Sequence, residues 1–233
     1  MVSPTRTNSL YEQVHPLTTV MENRFVEWFV GKDLNHGTSG KVWYKGYSVS
    51  VPTMSMVDDI GGGFKITTGT NTYSDGRIYF AHDNGDQAGY EDSVKQFTHN
   101  SSTVISIFKE INVTTGSYSL SGFTGMATGN AGTTATQNAN SGTFQSLSNV
   151  HCRTGDGTTT SQLETDLAKD TNWHIHRLDL YSANCKLAVD GTLKATKTTN
   201  LPQSGMSPVF YQAKGTGSGA KEGAIRYMEA YNR

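Results

Sequence analysis

Residues 172–202 read NWHIHRLDLYSANCKLAVDGTLKATKTTNLP and carry the plainest alternation in the chain. Cys185, Leu187 and Val189 alternate with Lys186, Ala188 and Asp190; beyond Gly191, Leu193 and Ala195 alternate with Lys194 and Thr196. Period two is the signature of a half-buried strand, so this is a hairpin about Asp190-Gly191. A two-residue turn sets Leu187 opposite Lys194 and throws the two apolar sets onto opposite faces. A three-residue loop of Val189, Asp190 and Gly191, with Gly191 left-handed, sets Leu187 opposite Leu193 and Cys185 opposite Ala195. Because a one-residue slip reverses every side chain, the in-phase pairing is predicted, with Cys185 as a core thiol.

The same pattern extends outward in both directions. Apolar or alternating runs at 25–30, 42–51, 64–68, 77–82, 104–108 (continued by 109–113) and 117–123 read as strands, punctuated by Gly61-Gly62-Gly63, Asp75-Gly76 and Gly116. In the 104–108 run, Val104, Ser106 and Phe108 share one face, and Ile105 and Ile107 the other. Residues 125–142, rich in Gly, Thr, Asn and Ala, read as a surface loop or a packing site between subunits. Residues 162–170 read as a short helix, with Leu163 and Leu167 four apart and Thr160 or Ser161 as a cap. Residues 1–23 show no periodicity. They read either as a disordered tail or as an arm that orders against a neighbour. The domain is expected over 24–233.

Composition narrows the class. The chain has 233 residues, 17 % charged, with a net charge of −1, 25 glycines and 53 serines and threonines together. A near-neutral chain lacks the basic field that nucleic acid requires. No run reaches the roughly 18 apolar residues of a membrane span, so neither nucleic acid nor membrane is an expected partner. The N-terminal stretch has no apolar core of about 7–15 residues, so no secretory signal is expected. Cys152 and Cys185 are too few for a disulfide framework; two reduced, buried thiols are expected in preference to one bridge. Short strands with almost no helix predict an all-β sandwich or barrel.

Within 172–202, Trp173 opens a strand, Val189-Asp190-Gly191 ends the next, and Leu201-Pro202 follows the third. This arrangement resembles the concanavalin A-like jelly roll of lectins, laminin-G-type domains and β-glucanases. FVEWFVGKDLNHG, with Trp43 behind it, looks like the opening strand of such domains, and AIRYMEAYN like their closing strand, which pairs beside the first. The resemblance spans about residues 25–232 and implies two antiparallel sheets in a jelly-roll sandwich. In general texture the chain also resembles structural proteins of tailed viruses.

Candidate chemistry can be weighed residue by residue. The glucanase branch carries its carboxylates on one strand as E-x-D-x-x-E or E-x-D-x-E, because alternate residues face the same side. The nearest string, Glu164-Thr165-Asp166, falls in the expected helical turn and lacks a third carboxylate, so no catalytic residue is assigned. His174 and His176 share a strand face and could offer two imidazoles to a metal, yet no third ligand is apparent. They align with Leu178 and Leu180, which predicts partly buried, hydrogen-bonded rings. The loop HDNGDQAGYED gathers Asp83, Asp86, Glu91 and Asp92, oxygen ligands of the kind calcium takes, with a solvated loop as the alternative. Trp43, Tyr44, Tyr47 and Tyr90 are the candidate sugar-stacking aromatics, with core or interface packing as their alternative. No P-loop, dinucleotide fingerprint or nucleophile elbow occurs.

Two functions follow as expectations. The first is a non-enzymatic structural protein of a virus particle, a capsid decoration or tail component assembled in the host cytoplasm. It would attach to other virion proteins, and to copies of itself, through its arm and polar loops. The alternative is a carbohydrate-binding module or lectin that recognises surface glycans, with calcium as the one cofactor considered.

Overall fold

The computed structural model describes residues 24–29, 43–48, 50–57, 62–71, 74–80, 97–112, 120–127, 140–146, 149–214 and 219–233. Among these, fifteen strands and no helix occur. In chain order they begin with β1 (Arg24–Trp28), β2 (Trp43–Ser48), β3 (Thr53–Met56), β4 (Phe64–Thr67) and β5 (Asp75–Phe80). Next come β6 (Ser102–Glu110), β7 (Leu120–Ala127), β8 (Asn140–Ser146), β9 (Asn149–Gly155) and β10 (Thr160–Ala168). The last are β11 (His174–Leu180), β12 (Cys185–Val189), β13 (Thr192–Lys197), β14 (Ser207–Ala213) and β15 (Glu222–Asn232).

They form two antiparallel sheets. One runs β13-β12-β11-β6-β15-β4-β3, with β1 also paired to β15; the other runs β10-β9-β8-β7-β14-β5-β2. The closing strand therefore pairs with the opening one, as the resemblance implied, over Arg24↔Tyr231 to Trp28↔Tyr227. The core lies between the sheets. Val104 and Phe108 of β6, Leu178 and Leu180 of β11, Cys185 and Leu187 of β12, and Ile225 and Met228 of β15 face Ile78, Met126, Cys152 and Phe210. Side chains of this size bring about 1.5–3 kcal/mol each when fully buried, the driving term for closing the sandwich.

Two bulges decide which residues reach that core. In β15 the register jumps from Ile225↔Phe108 to Tyr227↔Ile107, leaving Arg226 as an extra residue. The inward set changes phase there, from Ile225 to Met228 and Ala230; without the bulge, Tyr227 and Glu229 would point inward. The predicted hairpin forms by a different route from the one expected. Val189 pairs with Thr192 across a two-residue turn, in which Asp190 and Gly191 have φ of 49° and 79°. Lys194 is then bulged out, so that Leu187 meets Ala195. The mirror-image turn matches the strand twist, and the bulge restores the phase that a three-residue loop would have kept. Cys185 is buried, as expected, but lies opposite Lys197.

The helix expected over 162–170 does not form. Those residues lie in β10 and its exit, because Leu163 answers to strand pairing with Cys152 of β9 and not to a helical face shared with Leu167. Strand pairing also enters both ends of the expected 125–142 loop, through Ala127 and from Asn140. Residues 1–23 lie outside the described residues.

Candidate functional site

The outer face of the seven-stranded sheet follows from alternation. Cys152 of β9 faces the core, so His151 and Arg153 face out, with Glu164 paired to His151 and Gln162 to Arg153 on edge strand β10. On β14 and β5, Tyr211 and Arg77 are register partners on the same face, beside Phe123 of β7. The centre of this face is closed: Asp75, Arg77, Phe123, Val209 and Tyr211 are all buried. Burial and the Asp75 charge push the Tyr211 phenol far above its ordinary range. Arg77 Nε lies 4.0 Å from Asp75 Oδ1, and burial lowers the Arg153 guanidinium. Toward β10 the face opens, and Gln162 and Glu164 are exposed.

Glu164 and Asp166 therefore do stand two apart on a strand, contrary to the helical placement. Each is engaged by a different partner. Glu164 Oε1 accepts from Asn149 Nδ2 at 2.7 Å. Asp166 Oδ1 accepts from Lys194 Nζ at 3.0 Å, and Lys194 belongs to β13 in the opposite sheet. The pairing of β10 with β9 shifts register between Glu164 and Ala168.

The outer face of the eight-stranded sheet is different in character. Successive registers set Trp28, Tyr227, Ile107 and Ile175 side by side across β1, β15, β6 and β11. Trp28 is 55 % exposed and Ile175 48 %, and the rings of Trp28 and Tyr227 are 4.4 Å apart, tilted by 52°. Polar groups border the row. The Tyr227 hydroxyl donates to Glu229 Oε2 at 2.6 Å, and Arg24 Nη2 lies 2.5 Å from Glu229 Oε1. Nearby, Trp173 is held between two cations, Arg226 at 4.1 Å and Lys109 at 4.6 Å from its ring. Trp28 and Tyr227 were not singled out in the sequence. The alternation of FVEW and RYMEAY places both on one face only once the Arg226 bulge is known.

The residues that were singled out fall elsewhere. Trp43, Tyr44 and Tyr47 lie on β2, in register with Phe80, Tyr79 and Gly76 at the edge of the seven-stranded sheet. Tyr90 and the loop with Asp83, Asp86, Glu91 and Asp92 lie outside the described residues. Among the described residues no group of three or more His, Cys, Asp or Glu side chains is placed to hold a metal.

The two histidines share a face but not an environment. His174 Nδ1 meets Asp190 Oδ2 at 2.6 Å and Nε2 meets Asp170 Oδ1 at 2.9 Å. Burial opposes the charged ring, and the two carboxylates overcome it, so the pKa is raised. His176 is wholly buried beside Phe108, and among the described residues neither ring nitrogen has a hydrogen-bond partner, contrary to expectation. Burial pushes its pKa down to about 3. Between the sheets, the Sγ atoms of Cys152 and Cys185 lie 4.0 Å apart without a disulfide bond; their contact, then burial, pushes the Cys152 thiol well up.

No family model matches the chain, and no curated protein matches it in sequence. Solved structures do. A glycoside hydrolase family 16 endo-glucanase from Bacteroides ovatus matches with TM-score 0.54 and 15 % identity, over 86 % of this chain and 99 % of that one. The Bacillus licheniformis β-glucanase matches with TM-score 0.54 and 12 % identity, over 91 % and 99 %. The carbohydrate recognition domain of Emp46p, in metal-free form, matches with TM-score 0.52 and 11 % identity, over 88 % and 98 %. The fold is a concanavalin A-like jelly roll. The exclusion of enzymes drawn from the sequence is corrected by these matches, since glucanases share the fold. The neighbours are glycan-active proteins and a lectin domain.

Proposed function

We propose that this jelly roll binds a glycan. One observation carries the reading: a largely exposed Trp28 set against Tyr227, with the Arg24–Glu229 pair at its border. A pyranose ring presents C–H bonds on its faces and hydroxyls around its rim. An exposed indole receives the first, and the Arg24 guanidinium at its border, held by Glu229, donates to the second. The glycan-active neighbours support the substrate class without fixing its identity. The test is titration of the full chain with a panel of β-glucan and mucin-type oligosaccharides, with Trp28→Ala as control. Saturable binding that weakens at least tenfold in the variant is expected. No binding across the panel, or equal binding by the variant, refutes the reading.

The aliphatic half of the same row favours a second reading. Ile107 and Ile175 extend Trp28 and Tyr227 into an apolar strip with one side to solvent, the composition of a protein interface core. On that reading the chain docks on other subunits, in the manner of a virion decoration or tail component. Ile175→Glu would then abolish association with the particle or with further copies, yet leave glycan binding intact.

A further inference from the structure

The two cysteines of the chain come from opposite sheets and meet in the core. Cys152 lies on β9 of the seven-stranded sheet and Cys185 on β12 of the eight-stranded one; both are fully buried, and their Sγ atoms are 4.0 Å apart. Register fixes each within its sheet: Cys152 stands between Thr143 and Leu163, and Cys185 between Leu180 and Lys197. Polar contacts from one sheet to the other hold the approach. Thr154 Oγ1, two residues along β9 from Cys152, donates to Thr199 C=O at 2.9 Å, just beyond β13. Lys194 Nζ of β13 donates to Asp166 Oδ1 of β10 at 3.0 Å.

A disulfide holds its sulfurs about 2.05 Å apart, so bonding needs about 2 Å of closure shared between two side chains. Rotation about the Cα–Cβ bonds supplies a movement of that size without displacing a strand. Sandwiches of the immunoglobulin type carry a disulfide from one facing sheet to the other, so the separation of two packed sheets accepts such a bridge. A cation also stands by. Lys197, the register partner of Cys185, is buried, and its ammonium donates to Thr199 Oγ1 at 3.2 Å. A nearby cation favours the thiolate, the form that attacks. Lys197 lowers the Cys152 pKa, against the thiol contact and the burial that raise it.

We propose that Cys152 and Cys185 form a disulfide across the sandwich when the chain meets a small-molecule disulfide as oxidant, and return to thiols under reduction. One cysteine, as thiolate, attacks the oxidant's S–S bond and releases one thiol. The other then attacks the mixed disulfide and releases the second. Both S–H protons end on the released thiols, and two electrons pass from the protein sulfurs to the oxidant. Burial of both sulfurs makes the exchange slow and dependent on opening of the adjoining edge strands β10 and β13. The bridge closes the segment from 152 to 185, which carries β10 and β11 and crosses from one sheet to the other, so it restricts the unfolded chain. The site is in the core, so it stands whether or not Trp28 stacks on sugar.

The experiment incubates the folded, reduced full chain with excess oxidised glutathione, and refolds a second sample from urea in the same oxidant. Alkylation and intact mass under denaturing conditions count the remaining thiols, peptide mapping locates the bridge, and thermal unfolding reads its effect. A monomeric chain lighter by two hydrogens is expected, with a peptide linking Cys152 to Cys185. Its melting temperature should rise by about 5–10 °C and fall back on adding dithiothreitol. Cys152→Ala and Cys185→Ala should show neither the link nor the rise. Closure in both samples assigns the exchange to the folded chain, and closure only on refolding assigns it to the opened one. Thiols that remain alkylatable in both samples, or bonds only to glutathione or between copies, overturn the proposal. So does a bridged chain that melts no higher than the reduced one. Should the alanine variants not fold, the native chain decides by itself, since a melting temperature unmoved by dithiothreitol overturns the proposal equally.

Discussion

Replacing His176 by Leu is expected to make the protein more stable, and much more so in acid. The ring is fully buried, and both nitrogens lack partners among the described residues although one must carry a hydrogen. Leaving such a donor unmet costs about 1–3 kcal/mol. Leucine has nearly the same volume and meets Phe108 equally well, so repacking should return less than about 1.5 kcal/mol of that gain. The net at pH 7 is a stabilisation of about 1 kcal/mol. The pH dependence is more decisive. With a folded pKa of about 3 against an ordinary value of 6.5, the neutral ring is the folded form. The histidine therefore weakens the fold as pH drops below 6.5, and the loss levels off only near the folded pKa. Linkage gives a loss of about 0.2 kcal/mol at pH 7 and about 2.7 kcal/mol at pH 4.5. His174 has a raised pKa and contributes with the opposite sign, but it is present in both proteins and cancels in the difference. Urea unfolding followed by tryptophan fluorescence at pH 7 and 4.5 measures the gap from the shift in midpoint at constant slope. The gap should widen by about 2–3 kcal/mol over that interval. Parallel pH profiles, or a variant less stable at pH 7, would refute the account.

Other substitutions probe separate parts of the fold. Gly122→Ala puts a Cβ 2.3 Å from Phe108 Cζ, and Phe108 is braced by Phe210 at 5.5 Å; a loss of about 2 kcal/mol should appear as a lower melting temperature. Lys169→Met leaves Glu110 buried without its cation and should cost about 3–5 kcal/mol, while adding Glu110→Gln should recover part of it; a double-mutant cycle by chemical denaturation checks this. Asp190→Asn keeps the left-handed turn residue and an acceptor for Ile175 N–H but removes the charge facing His174. Because His174 is raised and Asp190 lowered, the difference from the native chain should be greatest between about pH 4 and 6.5. It should fade as pH rises past the His174 pKa or falls past that of Asp190. Partial exposure keeps it near 1 kcal/mol.

Local periodicity was enough to read the all-β class, the face division of 104–108, the hairpin about residue 190 and the inward Cys185, because alternation is a property of a short stretch of chain. It misread residues 162–170, where two leucines four apart satisfy a helix, yet pairing with β9 won. The hairpin loop was misjudged for a related reason. The bulges at Lys194 and Arg226 shift the phase by one residue, and no residue type announces them. What only tertiary structure decided is which faces assemble. The row of Trp28, Tyr227, Ile107 and Ile175 draws on four strands from both ends and the middle of the chain. The buried pair of Glu110 and Lys169 draws on the ends of β6 and β10, each an unremarkable charged residue where it stands in the sequence. Period alone marked the strands whose alternation is complete within a short stretch, and it missed β10. Strand pairing and the two sheets' closure fixed the sites, because a side chain's neighbours depend on register, and register is set across the sheet.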